Sequence, residues 1–589
     1  MDGKGLVKIF GPAVAAAVLF AMGSPAEAAS TREYFTARLQ AGPPQQLDQS
    51  ARAYYSEIFA AIDRGDWAAV EALLAQRSDG LLHTVARGQY YLAANSPRVE
   101  LPQINAWLER GWRLPMAAQM SRLAVTRGAT STPRLPEERT FYPLSSAPKR
   151  LRPRSVDDGT MPAEVRQQIL DRISNDDPHG ARQLLDGVDA LLSPEARAEW
   201  RQRVAWSYYI ENMDPEALAM ARTVAEGRGP WVAEGDWAAG LAAWRLGDCA
   251  AAGAHFERAA VAAVNAELRG AAYYWASRAA VRCRQPERSA LLLRSAATND
   301  ETLYGMLAAE QLGQSLPERV ANADFSNDDW RRLRDSENVR IAIALAEIGR
   351  DVLSSQVLLH EARIGNPDNY AALTRLAREL GLPQTQLYMA HNAPSGAAPD
   401  PASAYPTPKW VPVTGWQIDP ALAYAHALQE SNFRASAVSP ADARGVMQIT
   451  PITVREHAPR LGMNASQVDI FDPGVNLAFG QRNLEMLRDH SATQGHLPKI
   501  MAAYNAGLTP VTRWNHEVRD LGDPLLYMES IPYWETRSYV AIVMRNYWMY
   551  ERQAKAPSIT RITLAQNAWP SFPSGQESSG RVYLSAENN

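Results

Sequence analysis

The residues best suited to chemistry lie in the stretch ALQESNFRASAVSPADARGVMQITP, residues 427–451. It holds a single glutamate, Glu430, at the end of a helix-forming run, and a polar turn follows before Met447 and Gln448. A glutamate can act as a general acid near neutral pH when an apolar pocket raises its pKa. The partial negative charge at the C-terminal end of a helix also disfavours the ionised carboxylate, and so it raises the pKa further. Taken alone, however, such a residue is more often a solvated glutamate at a helix end.

A helix is predicted to position this acid. Asp419 is a good N-cap residue and Pro420 suits the first helical turn, so the segment DPALAYAHALQE begins a helix at this point. Its apolar residues recur at helical spacing. Glu430 is therefore expected near the C-terminal end of the helix.

Four sequence motifs around Glu430 occur in a fixed order. They are Glu430-Ser431-Asn432-Phe433, the run from Ser439 to Gln448, Ala503-Tyr504-Asn505-Ala506-Gly507, and ESIPYWETRSYV from Glu529. Together they resemble the soluble lytic transglycosylases, whose goose-lysozyme-like domain carries E-S-x-F, S-x-x-G-A-x-G-L-M-Q, A-Y-N-A-G and E-S-I-P-x-x-E-T-R-x-Y-V. Upstream, AAYYWASRAA from Ala271 and TLYGMLAAEQLG from Thr302 resemble the helical segments of large periplasmic members more loosely.

The resemblance implies a reaction and a set of site residues. The reaction is non-hydrolytic cleavage of the β-1,4 bond between N-acetylmuramic acid and N-acetylglucosamine in peptidoglycan, which forms 1,6-anhydromuramoyl products during cell wall turnover and remodelling. Glu430 would be the single general acid and base, because the C6 hydroxyl of the substrate replaces the second carboxylate that hydrolases use. The implied substrate-binding residues are Ser439, Met447, Gln448, Tyr504, Asn505 and Glu535.

The chain departs from the family pattern at two positions. Asp442 stands where the family usually has glycine, and the turn is expected to survive because aspartate tolerates left-handed backbone better than most residues. Thr450 replaces the second methionine of the common M-Q-I-M-P run, which removes an apolar group from the expected cleft wall.

Two other functions remain open from the sequence. A goose-type peptidoglycan hydrolase would need a second carboxylate in the cleft, and four acids lie close to Glu430 in sequence: Asp442, Glu456, Asp469 and Asp472. A glycan-binding interaction scaffold would keep its function without Glu430. Aromatic residues that could stack on sugars are Trp514, Trp534, Tyr547 and Trp548, although more than half of them are expected in the core. We expect no cofactor and no metal, since the sequence has no metal-ligand cluster, phosphate-binding glycine loop or nucleophile elbow.

Composition limits the partners and the architecture. The 589 residues, 46% of them hydrophobic, exceed what a single core holds, so several domains are expected. The net charge of −4 comes from 60 basic and 64 acidic residues spread along the chain. This distribution gives no basic stripe for nucleic acid and no polybasic patch for a membrane surface. The expected partners are peptidoglycan glycan strands, together with cell-wall enzymes that the helical domain could contact.

The N-terminus predicts export. Lys4 and Lys8 precede an apolar run, and Ala26-Glu27-Ala28 forms an A-x-A cleavage pattern. Residues 1–28 are therefore predicted to be a signal peptide of a periplasmic protein. The apolar run from Ile9 to Met22 is shorter than the roughly 17–25 residues that span a bilayer, so no stable membrane anchor is expected.

The fold is predicted to be mainly α. Residues 29–300 are expected to form an α-superhelix of degenerate helical-hairpin repeats, because a short pattern recurs at Gly65, Asn175, Gly247 and Gly349. A helical linker domain at 301–390 and a proline-rich linker at 391–409 follow. A lysozyme-like, mostly helical domain is predicted at 410–556, and a C-terminal tail at 557–589.

Only two cysteines are present, Cys249 and Cys283. In an exported chain they could form a disulfide if the helix turns that carry them stack. Two buried free thiols are the alternative, and a zinc site would need more ligands.

Overall fold

The computed structural model describes residues 30–39, 42–77, 79–145, 147–316 and 324–573. These residues are mainly helical, which confirms the predicted fold class. The predicted signal peptide lies outside them. None of the helices they form is both long enough and apolar enough to cross a bilayer.

The helices before residue 312 are Thr31–Arg38 (α1), Gln49–Arg64 (α2), Trp67–Gln76 (α3), His83–Leu92 (α4), Leu101–Gly111 (α5), Ala117–Thr126 (α6), Ala163–Ser174 (α7), Pro178–Asp186 (α8), Pro194–Ile210 (α9), Asp214–Thr223 (α10), Trp231–Arg245 (α11), Cys249–Ala262 (α12), Ala266–Arg282 (α13), Pro286–Ala297 (α14) and Leu303–Gln311 (α15).

The helices that follow are Asn327–Leu333 (α16), Glu337–Glu347 (α17), Asp351–Ile364 (α18), Tyr370–Glu379 (α19), Pro383–His391 (α20), Pro420–Ser431 (α21), Pro451–His457 (α22), Pro473–Asp489 (α23), Leu497–Ala506 (α24), Leu508–Glu517 (α25), Pro524–Ser530 (α26), Trp534–Gln553 (α27) and Ile559–Ala565 (α28). Two strands, Phe141–Pro143 (β1) and Asn392–Pro394 (β2), pair antiparallel.

The recurring sequence pattern is a turn that joins consecutive helices. Gly65 and Gly247 adopt positive φ, 68° and 81°, which favours glycine. The next residue in each case, Asp66 or Asp248, caps the following helix with its side chain. The copy at Asn175 has the same arrangement, with Asp176 at positive φ and Asp177 as the cap, whereas at Gly349 the next residue, Arg350, makes no side-chain cap. The repeats predicted from sequence are therefore helical hairpins joined by a left-handed residue, and three of the four add an aspartate cap.

The helices build two large hydrophobic cores, beside a small cluster of Ala198, Val224 and Trp231. One core combines α2–α6 with the helices between residues 327 and 391. The other combines the helices from 163 to 311, here called the arc (α7–α15), with those after residue 420. The segment from residue 127 to 162 connects the two and carries β1, whose partner β2 follows α20. Residues predicted as one superhelix therefore contribute to both cores.

The arc and the C-terminal helices also contact each other through polar groups. The Tyr209 hydroxyl lies 2.8 Å from Ser530 Oγ, and Tyr304 donates to a Glu529 carboxylate oxygen at 2.7 Å. Tyr209, Ser530 and Tyr304 are all buried. Buried polar groups that are paired in this way fix the relative position of the elements that carry them.

Cys249 and Cys283 form a disulfide, which settles the alternatives that the sequence left open. Cys249 is the first residue of α12, and Cys283 caps the C-terminal end of α13. Their Cα atoms lie 5.6 Å apart. The bond therefore ties the start of one arc hairpin to its end.

The proline-rich segment from 391 to 409 packs closely against both cores. It contains β2 and a short 3-10 helix, Pro401–Ala404. Proline offers no amide donor, so the carbonyl groups of this segment accept hydrogen bonds from side chains instead. Tyr550 donates to the Pro406 carbonyl at 2.8 Å, and Gln386 donates to the Ser403 carbonyl at 2.9 Å.

Candidate active site

The helix α21 holds Glu430 and is anchored at its first residue. Asp419 caps this end: its carboxylate accepts the Ala421 amide at 2.8 Å. The same carboxylate accepts the Thr31 hydroxyl at 2.6 Å and the Tyr547 hydroxyl at 2.8 Å. The predicted N-cap is confirmed. The Asp419 side chain therefore joins three parts of the chain at the start of α21.

The other end of α21 stops just after Glu430. Asn432 and Phe433 both adopt positive φ, 51° and 59°, so the helix cannot continue. Ser431 Oγ donates to the Val446 carbonyl at 2.8 Å. This bond ties the helix end to the loop of the second motif, and it places the half-buried Glu430 beside that loop.

Glu430 forms a hydrogen-bonded chain with two buried residues. The Tyr539 hydroxyl donates to Glu430 Oε1 at 2.6 Å. His426 Nδ1 lies 2.8 Å from the same hydroxyl oxygen. Because the single Tyr539 proton goes to Glu430, His426 must donate from Nδ1. Its Nε2 atom is buried and has no partner among the described residues.

The environment of this chain shifts the pKa of its members. Burial raises the pKa of Glu430 to about 7, and the nearby Glu535 charge adds to this, while the Tyr539 hydrogen bond opposes it. Burial lowers the pKa of His426 to about 3. The histidine is therefore neutral at physiological pH, and the glutamate exchanges its proton near neutrality.

The other acids that the sequence placed near Glu430 have structural partners or lie in water. Asp442 pairs with Arg444 at 2.8 Å. Asp472 caps α23, Asp469 accepts a nearby backbone amide, and Glu456 is exposed. Among the described residues, the carboxylate whose charge acts on Glu430 is Glu535, in the first turn of α27. The Glu535 side chain is exposed.

The loop from 438 to 449 forms one wall beside Glu430. Ser439 Oγ accepts the Ala443 amide at 3.1 Å, which leaves its own proton free to be donated. Asp442 adopts a φ of 59°, which confirms the expectation that aspartate keeps the left-handed turn. Gly445 has a φ of 77°, and a Cβ there would lie 2.1 Å from the Asn476 amide nitrogen. The loop therefore requires glycine at this position.

Met447 and Gln448 hold the end of this loop. The Met447 side chain is fully buried, and its amide donates to Asn476 Oδ1 at 2.8 Å. Gln448 has a positive φ of 51°, and its side-chain Nε2 donates to the Gly445 carbonyl at 2.9 Å. Thr450 caps α22 through its hydroxyl.

The third motif faces the same wall from α24. The Tyr504 hydroxyl donates to the Met447 carbonyl at 2.8 Å. Its ring packs on His426, with the ring centroids 4.6 Å apart. Asn505 Oδ1 accepts the Thr536 hydroxyl at 2.6 Å, so the carbonyl side of this amide is turned towards α27. The structure thus brings residues of all four motifs together around Glu430.

Most of the aromatic residues considered for sugar stacking are in the core, as expected. Trp514, Tyr547 and Trp548 are buried. Trp534 is half-buried.

Sequence reasoning missed the two residues that contact or support Glu430 directly. Tyr539 lies within the fourth motif as the tyrosine of T-R-x-Y-V, so its presence there was a usable signal. His426 is one helical turn before Glu430 and faces the same side of α21. A lone histidine in an alanine-rich helix gave no sign of that role.

The segment that holds α21, the loop and the third motif matches a known family. Residues 413–526 match the family model described as Transglycosylase SLT domain. This part of the chain is similar to a transglycosylase SLT domain. Tyr539 and Glu535 lie beyond the matched segment. The hydrogen-bond partner of Glu430 therefore comes from α27, which lies outside residues 413–526.

Similar proteins extend the likeness beyond the SLT domain. A "Putative soluble lytic murein transglycosylase" of Haemophilus influenzae is 29% identical over 266 residues, which cover 44% of this chain and 43% of that protein. The soluble lytic murein transglycosylase of Escherichia coli K12 is 32% identical over 133 residues, which cover 22% of this chain and 20% of that protein. The chain spans less than half the length of the curated relatives it matches.

Solved structures share the fold around the SLT domain. The 70-kDa soluble lytic transglycosylase in complex with bulgecin A is 16% identical, with a TM-score of 0.50, covering 92% of this chain and 91% of that one. An inactive variant of the lytic transglycosylase Slt from Pseudomonas aeruginosa is 20% identical, with a TM-score of 0.49, and the match covers 90% of each chain. The first of these agrees with the predicted superhelix followed by a lysozyme-like domain.

Proposed function

We propose that this protein is a peptidoglycan lytic transglycosylase. It cleaves the β-1,4 bond between N-acetylmuramic acid and N-acetylglucosamine and leaves a 1,6-anhydromuramoyl end. The observation that carries the proposal is a single carboxylate, Glu430, whose pKa is raised to about 7 by burial and which accepts a hydrogen bond from Tyr539. The matched SLT domain and the lytic transglycosylase relatives support it.

The mechanism needs Glu430 in both protonation states. As an acid, it protonates the glycosidic oxygen while the bond from that oxygen to the muramoyl C1 breaks, so that N-acetylglucosamine leaves as an alcohol. As a carboxylate, it then takes the proton of the muramoyl C6 hydroxyl, whose oxygen bonds to C1. The proton returns to Glu430, and no water is consumed. A pKa near 7 suits a group that must give and take a proton at neutral pH.

Tyr539 and His426 support the ionised state of the acid. The Tyr539 hydroxyl stabilises the Glu430 carboxylate that forms after the first proton transfer, because hydrogen bonds to charged groups are stronger than neutral ones. Neutral His426 holds the Tyr539 oxygen and so fixes the direction of its proton.

The other site residues bind and position the substrate in this proposal. Ser439 and Asn505 have donor groups that the protein does not use, and these can hold the N-acetyl group of the muramoyl residue. Gln448 and Met447 shape the loop, and Tyr504 holds that loop against the helix of the third motif. In addition, Glu535 keeps the pKa of Glu430 high through its charge.

The location and the domains follow from the same proposal. Residues 1–28 direct export, and the protein acts on glycan strands in the periplasm. The superhelical helices, 29–300, and the linker helices, 301–390, present the catalytic domain of 410–556 to the cell wall and contact other cell-wall enzymes. The remaining segments of the proposed organisation are the linker of 391–409 and the tail of 557–589.

Digestion of purified sacculi tests the reaction. We expect fragments that end in anhydromuramic acid and are one water lighter than the products of a lysozyme, as measured by mass spectrometry. The Glu430→Gln variant should bind sacculi without releasing fragments. Products with a reducing end would instead support the goose-type hydrolase, and an unchanged phenotype of the variant would support a glycan-binding scaffold.

A further inference from the structure

A cavity of about 220 Å³ lies between the arc and α27, apart from the proposed catalytic cleft. Trp534, Arg537, Ser538 and Ala541 line it from α27. Tyr539, which contacts Glu430, is not part of the lining. Since successive helix residues are rotated by roughly 100°, Tyr539 projects from another side of α27. The cavity and Glu430 are therefore both in contact with α27, but they lie on different sides of it.

Two of the arginines around the cavity are neutralised by acids. Arg150 pairs with Glu234 at 2.7 Å, and Arg203 pairs with Glu199 at 2.7 Å. In each pair, an N–H group of the arginine donates to a carboxylate oxygen of the glutamate. Arg150 and Arg203 therefore each have an acidic partner.

The other two arginines lack such an acid. Arg537 donates to the Glu529 backbone carbonyl at 3.2 Å and forms no ion pair within the described residues. Arg152 forms neither a hydrogen bond nor an ion pair with any residue that the structure describes. Their guanidinium groups lie 5.0 Å and 5.9 Å from the ring centroid of Trp534. Burial lowers the pKa of Arg537 to about 10, as expected of a cation whose lost hydration is not replaced. Arg152 is exposed, so its unpaired guanidinium group remains accessible to solvent at the edge of the cavity.

The walls of the cavity are aromatic. Trp206, Trp231 and Trp237 line it from the arc, opposite Trp534. Arg537 also lies over the Trp206 ring at 4.2 Å, and Arg152 lies over Trp231 at 5.6 Å. A ligand between the two unpaired guanidinium groups would therefore meet flat apolar surfaces on both sides. This combination suits an anion that has an apolar flank.

We propose that the cavity binds an organic carboxylate with an apolar flank, held between Arg152 and Arg537 and packed on Trp534. A guanidinium group matches a carboxylate with two parallel hydrogen bonds. A doubly charged phosphate is disfavoured, because Glu234, Glu267 and Glu529 line the same cavity. The volume corresponds to roughly seven waters at about 30 Å³ each, which is enough for the end of a peptide.

Such a carboxylate has two sources, and the cavity does not depend on which one supplies it. One source is the peptide that peptidoglycan carries on its muramoyl residues, and this source rests on the proposed function. The other is a free short peptide, which needs no reaction at Glu430.

Calorimetric titration of the full chain tests the proposal. The Glu430→Gln variant serves as the background, so that no glycan is cleaved during the measurement. The probes are N-acetyl-D-alanyl-D-alanine, the same dipeptide with a C-terminal amide, a disaccharide that carries the acid form of the peptide, and inorganic phosphate. We expect the acid dipeptide to bind at least tenfold more tightly than the amide.

Substitutions locate the binding. Arg152→Gln should weaken binding of the acid dipeptide at least tenfold, and Arg537→Gln should do the same once circular dichroism shows that it folds. Arg154→Gln is the matched control, because Arg154 is exposed, lies two residues further along and does not line the cavity. Binding to this control variant should be unchanged.

The outcomes separate the possibilities. If only the disaccharide probe binds, and Arg152→Gln abolishes its binding, the peptide attached to glycan is the source of the carboxylate. If the free dipeptide binds, the carboxylate alone is recognised. Equal affinity for acid and amide, equal loss in Arg152→Gln and Arg154→Gln, tighter binding of phosphate, or no binding of any probe would overturn the proposal. The products released from sacculi by the unsubstituted chain test the proposed reaction separately.

Discussion

Replacement of Tyr539 by phenylalanine tests the proposed role of the hydrogen bond to Glu430. The substitution removes one hydroxyl that donates to Glu430 Oε1 at 2.6 Å. A hydrogen bond to a charged group contributes roughly 1.5–3 kcal/mol, and about 1.4 kcal/mol corresponds to one pH unit of pKa. Because the lost bond favours the carboxylate, the pKa of Glu430 should rise from about 7 by roughly one to two pH units.

Two effects on activity follow from that value. The pH optimum of anhydromuropeptide release should move to more alkaline pH by about one to two units, since the carboxylate needed for the second step forms at higher pH. The maximal rate should fall by roughly tenfold to a hundredfold, because the carboxylate formed in the first step loses the same stabilisation. The assay is the initial rate of product release from sacculi, measured by mass spectrometry between pH 5 and pH 9, a range of about two units on either side of the pKa.

Tyr504→Phe is the matched control. Its hydroxyl donates to the Met447 carbonyl and not to Glu430, so the same chemical change at the same site should leave the pH optimum in place. A Tyr539→Phe enzyme that loses rate but keeps the unsubstituted pH optimum would refute the assignment, since the hydroxyl would then not act on the protonation of Glu430. Equal alkaline displacement in both variants would refute it as well.

Three further substitutions or treatments have defined outcomes. Burial raises the pKa of Glu430 from 4.5 to about 7, so the folded protein holds this proton more tightly than the unfolded chain does. The free energy of unfolding therefore falls as pH rises between those two values. Glu430→Gln removes this loss, and it should add up to about 3 kcal/mol to the free energy of unfolding at pH 8 and nothing at pH 4, as measured by denaturant titration. Reduction of the Cys249–Cys283 disulfide, which closes a separation of 34 residues, should lower the free energy of unfolding by roughly 3–4 kcal/mol in the chain-entropy model; an unchanged denaturation midpoint would contradict this. Asp419→Ala should cost about 2–4 kcal/mol because it removes an N-cap and leaves two hydroxyl donors unpaired, whereas Asp472→Ala, which removes an exposed N-cap alone, should cost about 1 kcal/mol.

The sequence predicted those parts of the site that depend on local backbone chemistry. Asp419 and Pro420 were enough to place the start of α21, because capping acts over two or three residues. Asp442 was expected to hold a left-handed turn and does so with a φ of 59°. The glycine and aspartate of the helical hairpins, as at Gly65 and Asp66, were visible for the same reason.

The sequence could not predict features that depend on distant residues. The hydrogen bond between Tyr539 and Glu430 joins positions 109 residues apart. Similarly, β1 pairs with β2 although the whole arc lies between them in the sequence, and neither strand has the length or alternation that predicts a strand. The proline-rich segment was expected to be a linker, because composition shows the missing amide donors but not the side chains, such as Tyr550 and Gln386, that satisfy its carbonyls.

The geometry at Glu430 depends on the arc as well as on the C-terminal helices. Tyr539 lies on α27, and the same helix presents Trp534 and Arg537 to the cavity that the arc helps to form. The core of the arc is continuous with that of the C-terminal helices, and Tyr304 of the arc donates to Glu529 on α26, which leads directly into α27. A rigid, close-packed interior transmits small displacements from one side of a helix to the other. The arc is therefore part of what keeps the Tyr539 hydroxyl 2.6 Å from the Glu430 carboxylate.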